Sequence, residues 1–269
     1  MTQFIPSIQR VFTPNIKRVE VDVYPRGDLK RGQELARSSN FNEALEEFNA
    51  VLKEDPSSIA AHVSAGNVKY RQKQYEDAIV HFEAAIRLDP LSTNVYLRAA
   101  RAYAAQGKSD KALEYFQNAL KLDPNLAMAY VGLGQVLLKQ EKFDEAVQQL
   151  SKALRLNTRL LAARKRLAQA YNQQEKHFEA TTQLKAVLRI KPNDPDAYAG
   201  MGKTYFLQKD YSAAREAFKK AIALNPESSS NAQLGLAVSL IEEDKIEEAS
   251  AILAKVAIGF PQNEDDDDI

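Results

Sequence analysis

The sequence predicts an all-α array of tandem helix-turn-helix units, and three observations carry that expectation. Prolines at Pro56, Pro90, Pro124, Pro192, Pro226 and Pro261 stand 34, 34, 68, 34 and 35 residues apart. Laying the chain out with that period places alanine at the twentieth position of every unit: Ala44, Ala78, Ala112, Ala146, Ala180, Ala214 and Ala249. Within each unit, apolar residues recur at three- and four-residue steps in two blocks, as in a pair of amphipathic helices.

Ending each unit two residues past its proline gives units at 25–58, 59–92, 93–126, 127–160, 161–194 and 195–228. A seventh, at 230–263, follows one extra residue in Ser228-Ser-Ser230, and Thr158 stands where the fourth unit lacks its proline. The eighth position is always small (Gly32, Gly66, Ala100, Gly134, Ala168, Gly202, Ala237), and the twenty-fourth is always Phe or Leu, from Phe48 to Leu253. In the second unit the helices are expected over about 60–72 and 76–88, joined by a turn of short polar residues like that at Gln106–Asp110. Small residues at positions eight and twenty let the two backbones approach, and the twenty-fourth side chain fills the space beside them. Proline disfavours helical geometry in the residue before it, so Asp89-Pro90 and its equivalents end the second helix.

These positions resemble the tetratricopeptide repeat (TPR) family over residues 25–263, with departures at Asp28, Arg31, His62, Lys69 and Thr158. The resemblance implies a right-handed superhelical α-solenoid in which first helices line a concave groove and second helices lie outside. It implies a non-enzymatic scaffold, adaptor or assembly factor that binds a partner polypeptide. Function itself lives in the groove's own residues rather than in the fold.

Composition narrows the chemistry. There are 36 basic and 36 acidic residues, but five of the acids, Glu264 and Asp265 to Asp268, sit in the last nine positions, leaving residues 1–260 mildly basic. Zero net charge disfavours the rival reading of a helical-repeat RNA binder. No cysteine is present, so disulfides, thiolate metal sites and a cysteine nucleophile are excluded. The three histidines, His62, His81 and His177, fall on different predicted helices or turns at spacings unlike any ligand pair, so no metal is expected. Ala197-Tyr-Ala-Gly-Met-Gly202-Lys203-Thr204 fits a relaxed phosphate-loop pattern. That chemistry needs a loop after a strand, whereas this segment belongs to a first helix. Neither cofactor nor catalytic group is expected. No apolar run is long enough for a membrane span, and the N-terminus lacks the charge and apolar pattern of a secretory signal, so a cytoplasmic chain is expected.

In the family, ligands touch the second, fifth, ninth, twelfth and thirteenth positions. Here the ninth positions read Gln33, Asn67, Arg101, Gln135, Gln169, Lys203 and Val238, and the others add Arg26, Arg37, Arg71, Lys139 and Lys165 against Asp196 and Glu242. Amide side chains pair with both N–H and C=O of an extended peptide. Two readings stay open: a solvated helix face, or a basic, amide-rich groove for an acidic peptide. No window supplies the two-carboxylate clamp by which some TPR proteins hold chaperone tails.

Outside the array, residues 1–24 carry Phe4, Ile5, Ile8, Val11 and Phe12 on one helical face. Three roles compete for this segment: a cap on the first unit, a docking arm, or a membrane-surface anchor that would make the protein membrane-peripheral. At the other end, Ile252, Val256, Ile258 and Phe260 are expected to leave an apolar edge that self-association or end-on docking would cover. The acidic tail, residues 264–269, is either a competitor for a basic groove or a solubilising segment.

Overall fold

A computed structural model of the chain describes residues 27–226 and 229–258. The N-terminal extension, Arg26 and the acidic tail lie outside these residues. Fourteen helices follow one another: α1 (Leu29–Arg37), α2 (Phe41–Glu54), α3 (Ile59–Arg71), α4 (Tyr75–Leu88), α5 (Thr93–Ala105), α6 (Ser109–Leu122) and α7 (Ala127–Lys139). The series continues with α8 (Phe143–Leu156), α9 (Leu161–Gln173), α10 (His177–Ile190), α11 (Pro195–Leu207), α12 (Tyr211–Leu224), α13 (Ser230–Glu242) and α14 (Ile246–Ile258). In the second unit both helices begin one residue earlier than expected.

Each helix packs on its neighbours in sequence. In addition, the first helices touch across units (α3 with α5, α5 with α7, α7 with α9), whereas the second helices do not meet one another among the described residues. Closer spacing on one side curves the array, so the odd-numbered helices form the inner wall of an α-solenoid.

The core repeats as the sequence does. Phe48, Phe82, Phe116, Leu150, Leu184 and Phe218 are all buried, and the alanines at position twenty are sealed from solvent. A Cβ added to Gly66 would lie 2.7 Å from the Phe82 ring, and one on Gly134 would lie 2.5 Å from Leu150 Cγ. The next unit closes the other side: a Cβ on Gly132 would meet the Phe116 ring at 2.2 Å. Ala146, fully buried in the α7–α8 contact, should therefore not accept a larger side chain. Ala146→Leu is expected to cost ~1–3 kcal/mol through overpacking. An unchanged urea midpoint would refute this packing.

The turns are more uniform than their sequences. Position fifteen adopts a left-handed backbone in every unit, at Ser39, Lys73, Gly107, Glu141, Glu175, Lys209 and Asp244. The residue after it returns its N–H to the carbonyl five residues earlier, as Lys142 N does to Leu137 O at 2.9 Å. This is the Schellman ending, which satisfies the last carbonyls of the first helix. Between units, Asp55, Asp89, Asp123 and Asn157 each accept a hydrogen bond from the backbone N–H two residues on. Asn157 keeps this Asx turn, and an extended backbone at φ −146°, although Thr158 replaces proline.

The C-terminal edge differs from expectation. Val256 is buried and Ile252 packs half-buried against the core of α12, α13 and α14, because α14 lays that face on α13. Among the described side chains of α14, Ile246 and Leu253 are the large apolar ones left exposed. The side chains of Ile258 and Phe260 lie outside the described residues.

Candidate partner-binding groove

The inner wall places the expected groove residues in very different surroundings. Arg71 reaches back to the first unit, donating to Ala36 O and Ser39 Oγ with its guanidinium 4.6 Å above the Phe41 ring. Gln33 Nε2 donates to Ser64 Oγ at 3.4 Å. Lys165 is neutralised by Asp196 at 2.7 Å and by buried Asp194 at 3.3 Å. Arg37 is exposed in the last turn of α1, where a cation complements the helix C-terminus. Gln169 and Lys203 are exposed and form no hydrogen bond or ion pair with another described residue.

The middle of the wall is where cations converge. Arg101, Gln135 and Lys139 line one hollow of about 300 Å³ that spans α3, α5, α7 and α9. Arg166 and Tyr70 are its other polar contributors, and with Met128 and Val131 they surround a floor where Gly132 covers the buried Phe116 ring without a side chain of its own. No Asp or Glu lines the hollow among the described residues. Arg166 Nη2 donates to Gln135 Oε1 at 2.9 Å, but its buried Nε finds no acceptor. Beside it, Arg98 Nη1 donates to Asn67 Oδ1 at 2.7 Å. Burial, and then the charge of Arg101, holds both the Arg98 and the Arg166 guanidinium below the usual arginine range. Arg101 itself forms no hydrogen bond or ion pair with a described residue.

Asn67 and Gln135, expected to read a peptide backbone, each accept from an arginine through the side-chain oxygen. Arg98 and Arg166, at the sixth position, stand outside the five positions from which the groove was read. The pattern Arg98–Gly132–Arg166 over three successive units was the available signal. Toward the C-terminus the wall turns apolar, with exposed Leu234, Val238 and Ile241 at the fifth, ninth and twelfth positions of α13.

Hydrogen bonds tie α5, which carries Arg98 and Arg101, to α4 and α6. Tyr103 of α5 and Tyr115 of α6 both donate to Glu83 Oε1 of α4, the second at 2.8 Å. Burial and then this carboxylate push the Tyr103 phenol up to about 12, and Tyr115 is raised by the same causes.

His62 and His81, which the spacing kept apart, meet with their Nδ1 atoms 3.2 Å apart. His62 Nε2 faces Pro56 O at 3.2 Å, an oxygen that can only accept, so Nε2 is the donor in that contact. Burial, then the charges of His62 and Lys69, hold His81 below 6.5 against the opposing pull of Asp77. No group of three or more potential metal ligands occurs among the described residues. The segment resembling a phosphate loop lies wholly within α11, where Thr204 Oγ1 donates to Gly200 O at 2.9 Å. No described helix is long and apolar enough to cross a membrane.

Paired helices, an inner wall of first helices and small residues at their contacts define a helical-repeat solenoid, the architecture of protein-interaction scaffolds. The chain belongs to the tetratricopeptide-repeat family: residues 26–266 match the family model of the cilia and flagella-associated protein 70 C-terminal domain. It is similar in fold to a tetratricopeptide repeat protein from Parabacteroides merdae, at 18% identity over 87% of this chain and 93% of that one, with a TM-score of 0.73. PilF of Pseudomonas aeruginosa aligns at 20% identity over 77% and 94% of the two chains, with a TM-score of 0.64. YrrB, described as a TPR protein with an unusual peptide-binding site, aligns at 25% identity over 70% and 96%, with a TM-score of 0.52. No curated protein matches the sequence.

Proposed function

We propose that this protein is a non-enzymatic scaffold, an adaptor or assembly factor, whose inner wall binds an acidic segment of a partner polypeptide. The observation that carries the reading is the hollow over α5 to α9, which gathers Arg101, Lys139 and Arg166 without a carboxylate. A preformed wall binds with little ordering cost on its own side, and uncompensated cations select acidic partners mainly through charge complementarity. The peptide-binding site of YrrB, at 25% identity, supports a polypeptide as ligand.

The test uses the full chain and a fluorescent oligoglutamate peptide, with oligolysine of equal length as control. At low salt the oligoglutamate should bind, and its affinity should fall as added salt screens the charges. Arg101→Glu combined with Lys203→Glu should weaken it by about tenfold or more. Both side chains are exposed and unpaired among the described residues, so folding should be retained. Equal affinity in the double variant would overturn the reading.

A further inference from the structure

From the same hollow we infer a more specific ligand: a phosphoryl group carried on a serine or threonine side chain of the partner polypeptide. This rests on the groove being the partner-binding surface and adds the chemistry of the group held there. Three cations line the hollow; of the two side-chain oxygen acceptors among its described lining residues, Gln135 Oε1 is already engaged by Arg166, and the other is the Tyr70 hydroxyl, which can donate as well. What the cavity offers a ligand is therefore mainly donors: the unpartnered Nε–H of Arg166, the free guanidinium of Arg101 and the ammonium of Lys139, which spends one N–H on Ala104 O at 3.4 Å and keeps two.

A single carboxylate brings one charge and two oxygens and leaves most of this unsatisfied. A phosphoryl group brings about −1.5 to −2 charges and three strong acceptor oxygens at neutral pH, and arginine forks match it geometrically. Arg98, anchored by Asn67, adds a further positive field, and Arg166 is held in place by Gln135. The second half of the argument is size. At about 300 Å³ the hollow exceeds a lone anion, since one water takes ~30 Å³ of liquid volume. Half-buried Met128, backed by the buried Val131 and Phe116 side chains, gives it a carbon-lined side that free phosphate would leave uncovered. A phosphorylated side chain with its backbone satisfies both halves.

The experiment uses the full-length chain and four probes at matched ionic strength: N-acetyl-phosphoserine amide, N-acetyl-glutamate amide, inorganic phosphate and acetate. Binding is followed through arginine side-chain N–H resonances. Phosphoserine amide should bind at least about tenfold more tightly than glutamate amide, and should shift the Arg166 Nε–H signal. Its affinity should drop as pH falls through ~6, where the phosphoryl group gains a proton. Arg101→Ala, which removes an exposed and unpaired side chain, should abolish that preference without altering the unfolding midpoint, and Arg166→Gln should do the same to binding. Equal binding of the glutamate probe, or no binding of the phosphoserine probe, overturns the phosphoryl assignment, while the oligoglutamate test still judges the groove itself. Inorganic phosphate binding as tightly as phosphoserine amide overturns the polypeptide origin of the group.

Discussion

Replacing Phe82 with alanine should lower stability by about 3–5 kcal/mol, the usual cost of deleting a buried aromatic ring. Its ring is 1% exposed and fills the angle between α3 and α4, directly beneath Gly66. It also belongs to the core cluster that runs on through Val95 and Ala99 into the third unit. In a solenoid, stability is a sum over units and the contacts between neighbours, so one ring serves two of these contacts. Phe82→Leu should cost only about 1–1.5 kcal/mol, since it keeps much of the volume. Leu150 and Leu184 hold the equivalent place in other units and are 0% and 2% exposed. Urea unfolding followed by helical circular dichroism decides it. Equal midpoints for the alanine and leucine variants would mean that ring volume does not hold this contact.

What the chain revealed before folding was whatever repeats. Alanine at position twenty and the small eighth residue sit on helix faces that pack identically in each unit, so periodicity alone exposes them. The turn ending was less visible, because six of the seven left-handed residues are not glycine. Here the closed hairpin imposes a backbone that the local residue does not prefer, and only Gly107 advertises it. Contacts that depend on hairpin closure were hidden as well. His62 meets His81 for the same reason that Tyr96 meets Tyr115 and Arg164 donates to Gln183: each pair is separated by 19 residues and faces across one hairpin. The groove was legible as a face but not as a charge distribution. Lys165 stands at a groove position, yet the next unit brings Asp194 and Asp196 against it. Arg98 and Arg166 enter the wall from the sixth position, outside the five from which the groove was read.

Asp194 carries the other large expected effect, since it joins a cap to this charge compensation. It is 2% exposed, directly before Pro195 at the start of α11, and its Oδ1 accepts from Ala197 N at 2.9 Å. Burial alone would raise its pKa, but the Ala197 N–H, then Lys165 and Lys191, more than offset it and hold the carboxyl below 3.8. Asp194→Ala should therefore cost about 2 kcal/mol: about 1 for the lost cap, the rest for leaving Lys165 and the buried α11 terminus short of partners. Asp194→Asn keeps a capping oxygen and should cost less than about 1 kcal/mol, because both lysines can turn partly to solvent. The two variants separate cap from charge, and pH provides a second axis. A carboxyl whose folded pKa lies below its unfolded one stabilises above the unfolded value, and that contribution disappears as pH falls through the folded value. The gap between wild type and Asp194→Asn should thus be full at pH 7 and close in the acid range below about pH 3.8, while the alanine variant stays weaker than asparagine throughout. Asparagine costing as much as alanine at neutral pH would show that the ion pairs, and not the helix cap, hold α9 and α11 together.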